Sequence, residues 1–112
     1  MKVSFIILFL IFSTTVFAQD SNTGANIPDS TKKIRTVEAS CGQCQFKLPG
    51  KGCDLAVRIK GKAYFVDGTK IDDHGDAHAD DGFCEKIRNA EVQGKIVKKR
   101  FRASYFRLLE TP

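Results

Sequence analysis

The chain lacks any apolar run of the roughly 20 residues that a membrane-spanning helix requires. Its one extended apolar stretch, Val3 to Phe12 with Ser4 inside it, gives way to Ser13, Thr14 and Thr15 before that length is reached. A permanent anchor is thereby disfavoured, and the parts of a secretory signal remain: Lys2 as the basic start, the apolar stretch as its centre, and Val16-Phe17-Ala18 as the cleavage region. Cleavage is expected after Ala18, making residues 1–18 the signal peptide and the mature protein secreted or periplasmic, without a transmembrane anchor. Cysteine is also missing directly after that point, where Gln19 and Asp20 stand, which disfavours a lipid anchor.

Large apolar residues are nearly absent from residues 19–33, where only Ile27 qualifies. Such a stretch cannot bury enough surface to offset its ordering entropy, and it is expected to be a flexible polar spacer. Residues 34–109 then form a single β-rich domain. A domain of under about 80 residues has a marginal core that cross-links often supplement.

Lysine and arginine are missing from Ile71 to Glu85, which carries Asp72, Asp73, Asp76, Asp80, Asp81 and Glu85. From Lys86 to Arg107 the balance reverses, with Glu91 the sole acidic residue among eight basic ones. The formal charge is +5, of which Lys2 supplies one, leaving +4 once the leader is removed. A basic surface outside the cell suits an envelope component or another anionic ligand; export argues against nucleic acid.

What the domain does have is an even set of cysteines, Cys41, Cys44, Cys53 and Cys84. Export makes disulfides the first expectation, and the spacing leaves all three pairings open. A bridge from the Cys41/Cys44 end to Cys84 would close a loop of roughly forty residues, for which chain entropy gives about 4 kcal/mol.

Periodicity predicts the architecture. Residues 34–40 read as a first strand, and Cys53 to Ile59 alternates with Leu55, Val57 and Ile59 on one face. Lys60-Gly61 suits a two-residue hairpin turn into Lys62 to Val66. After the acidic loop, Asp80 or Asp81 is expected to cap two helical turns over Gly82 to Asn89 that aim Cys84 at the core. Strands at Ala90 to Val97 and Phe101 to Leu109 follow, joined at Lys98-Lys99-Arg100, with a bulge or two covered faces where alternation slips at Tyr105-Phe106. Strand, strand, strand, helix, strand, strand predicts a mainly β protein with one short helix, an OB-like five-stranded Greek-key barrel; a small α+β sandwich is the alternative.

Four segments carry a resemblance: Cys41-Gly-Gln-Cys44, Gly52 to Ala56, Gly61 to Gly68, and Gly75-Asp-Ala-His-Ala-Asp-Asp-Gly-Phe-Cys84. In them the chain resembles an uncharacterised family of small exported bacterial proteins, over about Val37 to Leu108. The resemblance implies a signal peptide and a domain of unknown function, and carries over no functional residue.

Three places could carry chemistry. The loop from Asp72 to Cys84 gathers both histidines with five aspartates, and imidazole and carboxylate are ligands for Zn²⁺ and Cu²⁺. His74, His78, Asp76 and Asp80 are its candidate ligands. The alternative is that the aspartates cap turns while the histidines bond backbone carbonyls. The calcium-loop pattern fails, since Ala77 or Asp81 occupies the required glycine position, and His74-Gly-Asp-Ala-His78 lacks the glutamate base of zinc peptidases. The Cys41-x-x-Cys44 pair has zinc-ribbon spacing without a second such pair, and the following Gln45 to Pro49 is too short for the helix that redox dithiols use. On the last hairpin, Lys98, Arg100, Phe101, Arg102 and Tyr105 could bind an anionic ligand by charge and stacking, unless the aromatics simply face the core.

No catalytic arrangement is recognisable, and no enzyme is expected. The first expectation is an exported binding or structural module of the cell envelope, stapled by disulfides and requiring no cofactor. The alternative is a small periplasmic protein that binds Zn or Cu through the His/Asp-rich loop and, in one version, through the cysteines. Oligomeric state is left open.

Overall fold

The computed structural model describes residues 27–111; the expected signal peptide and residues 19–26 of the expected spacer lie outside the described residues. Five strands, β1 (Arg35–Cys41), β2 (Leu55–Ile59), β3 (Lys62–Asp67), β4 (Arg88–Val97) and β5 (Arg100–Leu108), form a closed barrel in the order β1-β2-β3-β5-β4. This is the strand order of the OB-fold, and the five strands fall within one or two residues of where alternation places them. Neighbours pair antiparallel except β3 and β5, whose parallel seam at Val66↔Phe101 and Asp67↔Arg102 closes the barrel. The interior is filled by alternate residues: Val37, Ala39 and Cys41 from β1, Leu55 and Val57 from β2, Val92 from β4, and Phe101, Ala103 and Phe106 from β5.

The hairpins show why the chain turns where it does. Lys60 and Gly61 both take positive φ, 51° and 81°, which matches the twist of the flanking strands. Lys98 and Lys99 adopt the same handedness, at 51° and 62°, with no glycine to relieve them. The β5 irregularity comes one residue before the slip in alternation. Gln93 faces Tyr105 while Gly94 faces Ala103, so Ser104 is the extra residue of a bulge. Gly94 (φ 157°) is required there, because a Cβ would sit 2.1 Å from the Arg102 carbonyl oxygen.

Helix is where the sequence reading needs correction. Residues 82–89 do not form two helical turns; they run through turns into β4, which begins at Arg88. The competing partners are on β1. The Cys41 N–H donates to the Phe83 carbonyl at 3.0 Å, and the Ser40 hydroxyl lies within reach of the Phe83 and Lys86 carbonyls, donating to one at a time. Carbonyls committed to β1, together with the Ala39↔Arg88 pairing, draw this segment out of helical geometry. Among the described residues, regular helix is confined to α1 (Gly42–Gln45) and a 3₁₀ turn at Ile71–His74. The β3–β4 connection still closes one end of the barrel, through buried Ile71, Ala77 and Phe83.

The end of the expected spacer is held against β4. The buried Gln93 side chain accepts from the Asp29 N–H and donates to the Asp29 and Lys32 carbonyls, all at 2.8–2.9 Å.

Candidate metal centre

The antiparallel order brings the end of β1, the start of β2 and the start of β4 to one end of the barrel. The four cysteines lie there: Cys41 closes β1, Cys44 sits in α1, Cys53 precedes β2, and Cys84 precedes β4. Their Sγ atoms all lie within 4.8 Å of one another. A tetrahedral Zn²⁺ with bonds of about 2.3 Å separates its sulfurs by about 3.8 Å, so the quartet is the right size for one such ion. The cysteines are free thiols; Cys53 and Cys84 approach most closely among the contacts found, at 2.7 Å between sulfurs. That is outside the 2.03–2.05 Å of a disulfide bond, so the expected disulfides are not formed here. Cys41 is buried and Cys44 exposed, so an ion bound among them would touch both the core and the solvent.

The Cys41-Gly-Gln-Cys44-Gln45 segment organises the quartet through its glutamines. The Gln43 amide donates to the Asp54 carboxylate at 2.7 Å and accepts from the Asp54 N–H at 2.9 Å, tying α1 to the segment that carries Cys53. Gln45 Nε2 donates to the Cys84 carbonyl at 2.9 Å. Gly42 lets α1 lie on the barrel, since a Cβ there would meet the Phe65 ring at 2.7 Å, Leu48 at 3.0 Å and Ala56 at 3.1 Å. Phe83, next to Cys84, is anchored through its carbonyl to β1, which brings the fourth sulfur to the site.

Cys41, Cys44 and Cys53 differ in their affinity for protons. Burial pushes the Cys41 thiol up, but hydrogen bonds from the Cys53 thiol, the Cys44 N–H and thiol, and the Gln43 N–H outweigh it and hold Cys41 below the ordinary thiol value. Protonated, it has Gln43 Oε1 as an acceptor at 3.7 Å. Cys44 is pushed up to about 11, first by its hydrogen bond to Cys41, then by burial and by the charges of Cys41 and Cys84. Cys53 is also raised, by burial first and then by its contacts with Cys41 and Cys84. Of these three thiols Cys41 is the readiest to ionise, and a cation is what would allow the other two to follow.

The histidine-aspartate loop is built differently from a metal site. His74, His78, Asp76 and Asp80 do not converge: among the described residues, the cysteine quartet is the one group of three or more His, Cys, Asp or Glu side chains close enough to hold an ion. His74 is half-buried, its ring 4.5 Å from that of Phe106 and edge-on to Phe83 at 6.2 Å, with Nε2 at 2.9 Å from the Thr69 hydroxyl. Burial lowers its pKa, against a smaller opposing effect of Asp73. His78 is exposed, and its N–H donates to Asp76 Oδ1 at 2.9 Å in a tight turn. Asp73 accepts from the Lys70 N–H at 2.9 Å. Asp80 is exposed. Two aspartates thus cap turns, as that alternative expected, whereas the histidine backbone bonds it assumed are replaced by the Thr69 hydroxyl and aromatic contacts.

The last hairpin also divides. Phe101 and Tyr105 are both buried, which corrects their candidate role as exposed stacking surfaces: Phe101 belongs to the barrel core, and Tyr105 pairs with Gln93 beyond the bulge, on the face opposite Phe106. Arg100 is paired with Asp67 at 3.0 Å and lies over the Phe65 ring at 5.5 Å. Lys98 and Arg102 are exposed. The convergence of Cys53 and Cys84 with the Cys41/Cys44 pair was not readable from the spacing; the only signal was an even cysteine count.

Fold and site together define a small five-stranded barrel with a four-cysteine centre at one end. A family model described as "Family of unknown function (DUF6370)" matches residues 35–109, and the chain belongs to that family. Neither the curated proteins nor the solved structures compared contain a match to the chain.

Proposed function

We propose that this is a small metal-binding protein that holds one thiophilic ion, Zn²⁺ or Cu(I), through Cys41, Cys44, Cys53 and Cys84. The observation that carries the reading is the convergence of all four sulfurs within 4.8 Å from three separate segments of the chain. Thiolates select these ions over hard cations, and four of them in a closed shell suit a bound rather than a catalytic ion. The protein acts as a non-enzymatic carrier or store, or uses the ion to hold its barrel end together, outside the cytoplasm if the leader is cleaved as expected.

The test is loading with Co²⁺ as a spectroscopic stand-in for Zn²⁺. One ion per chain with an intense thiolate-to-cobalt charge-transfer band is expected, lost in each Cys→Ser variant and unchanged in His74→Ala/His78→Ala. Binding abolished by the histidine changes and indifferent to the cysteines would refute the assignment.

A second reading has its own observation. Cys53 and Cys84 are 2.7 Å apart, so little movement separates them from a disulfide in an oxidising compartment. In that state the domain is a stapled binding module of the envelope, and it takes up no metal until reduced.

A further inference from the structure

A second site lies on the opposite chemistry. A groove of about 270 Å³ on the β4–β5 face is lined by Lys32, Gly94, Lys95, Arg102 and Ser104. Two other grooves carry both signs of charge: Asp76 and Asp81 with Arg88 in one, Asp54 and Asp72 with Lys70 and Arg100 in the other. Among the described residues, the β4–β5 groove is lined by three cations and no carboxylate.

The fold creates this imbalance. Lys95 and Arg102 stand directly opposite each other in the β4–β5 register, an arrangement in which like charges repel. The ion pairs among the described residues engage Arg58, Arg88, Arg100, Arg107 and, at 3.9 Å, Lys32; none includes Lys95 or Arg102. Lys32 is brought to the groove because the buried Gln93 side chain grips the backbone at Asp29 and Lys32. The bulge adds an exposed hydroxyl, Ser104, beside Gly94.

We propose that this groove binds an oxyanion, a phosphate or sulfate group, between Lys95 and Arg102, with Lys32 and the Ser104 hydroxyl as further donors. An arginine fork and an ammonium facing one anion convert a repulsive pair into charge-assisted hydrogen bonds. The oxyanion can be a free ion or a group carried on an anionic polysaccharide. The site is independent of the cysteine quartet.

The experiment is a titration of ¹⁵N-labelled protein with inorganic phosphate at constant ionic strength, alongside salt elution from a sulfated polysaccharide. Lys95→Gln/Arg102→Gln is compared with Lys51→Gln/Lys86→Gln, which removes the same charge elsewhere; the amide spectrum of each variant reports that it is folded. Saturable shifts centred on Gly94, Lys95, Arg102 and Ser104, weakened at least about tenfold in the groove variant only, would support binding of the free ion. No saturable phosphate shift, but earlier elution of the groove variant than of the control, would assign the oxyanion to the polymer. Equal elution of the two variants with no saturable phosphate shift would overturn the proposal.

Discussion

Cys41 differs from its three neighbours in being buried at the end of a strand and in receiving hydrogen bonds from Cys53, Cys44 and Gln43. It is therefore the sulfur on which a metal would first settle. Cys44, at about 11, and Cys53, raised by burial, are protonated at neutral pH in the metal-free protein. Zn²⁺ must displace those protons, so binding is expected to release at least two protons per ion and to weaken as pH falls. Calorimetry in buffers of different ionisation enthalpy counts them. His74 gives a separate pH dependence. Its pKa is lowered by burial, so the unfolded chain binds a proton at the ordinary value of 6.5 while the folded state resists it. Stability is thus expected to fall as pH drops through about 6.5, and His74→Gln should flatten that part of a melting-temperature profile. The histidines were conspicuous in the sequence as both members of one acidic loop, yet one faces aromatic rings and the other solvent. Composition could show that ligand types were present; it could not show which way the loop turned them.

At the scale of elements, the short α1 and the hairpin turns carry the informative strain. Gly42→Ala would press a methyl group against Phe65, Leu48 and Ala56, a cost of about 1–3 kcal/mol by overpacking, measurable as a lower denaturation midpoint. Gln43→Ala removes both bonds to Asp54 and is expected to weaken metal binding about 10- to 100-fold while the barrel stays folded. The β4–β5 turn places Lys98 and Lys99 in the left-handed region, where L-residues other than glycine and asparagine are strained. Lys98→Asn/Lys99→Gly should therefore raise stability by about 1–2 kcal/mol in urea unfolding. Strands were legible because apolar residues recur at every second position, at Leu55, Val57 and Ile59 and again at Phe101 and Ala103, even though Ala56 on the other face of β2 is buried as well. The expected helix at residues 82–89 was not formed, because its local signals, an aspartate cap and spaced apolar residues, lose to the bonds from Ser40 and Cys41 that reach over forty residues back along the chain. Long-range hydrogen bonds leave no mark in local sequence.

For the whole molecule, topology turns scattered cysteines into one centre. A closed barrel fixes which strand ends meet, so Cys41, Cys53 and Cys84 converge although up to 43 residues separate them, and Gln43 and Gln45 complete the frame. Metal binding and stability of that end are then coupled: a thousandfold excess of free ion over its dissociation constant adds about 4 kcal/mol to the folded state. The measurement that bears most directly on this account is native mass spectrometry of the protein purified from the cells that make it, with neither chelator nor reductant added. One Zn or Cu ion per chain, with the thiols shielded from alkylation until acid treatment releases the ion, is the predicted result. A metal-free chain four hydrogens lighter than its reduced form would contradict it, and would make the quartet two disulfides.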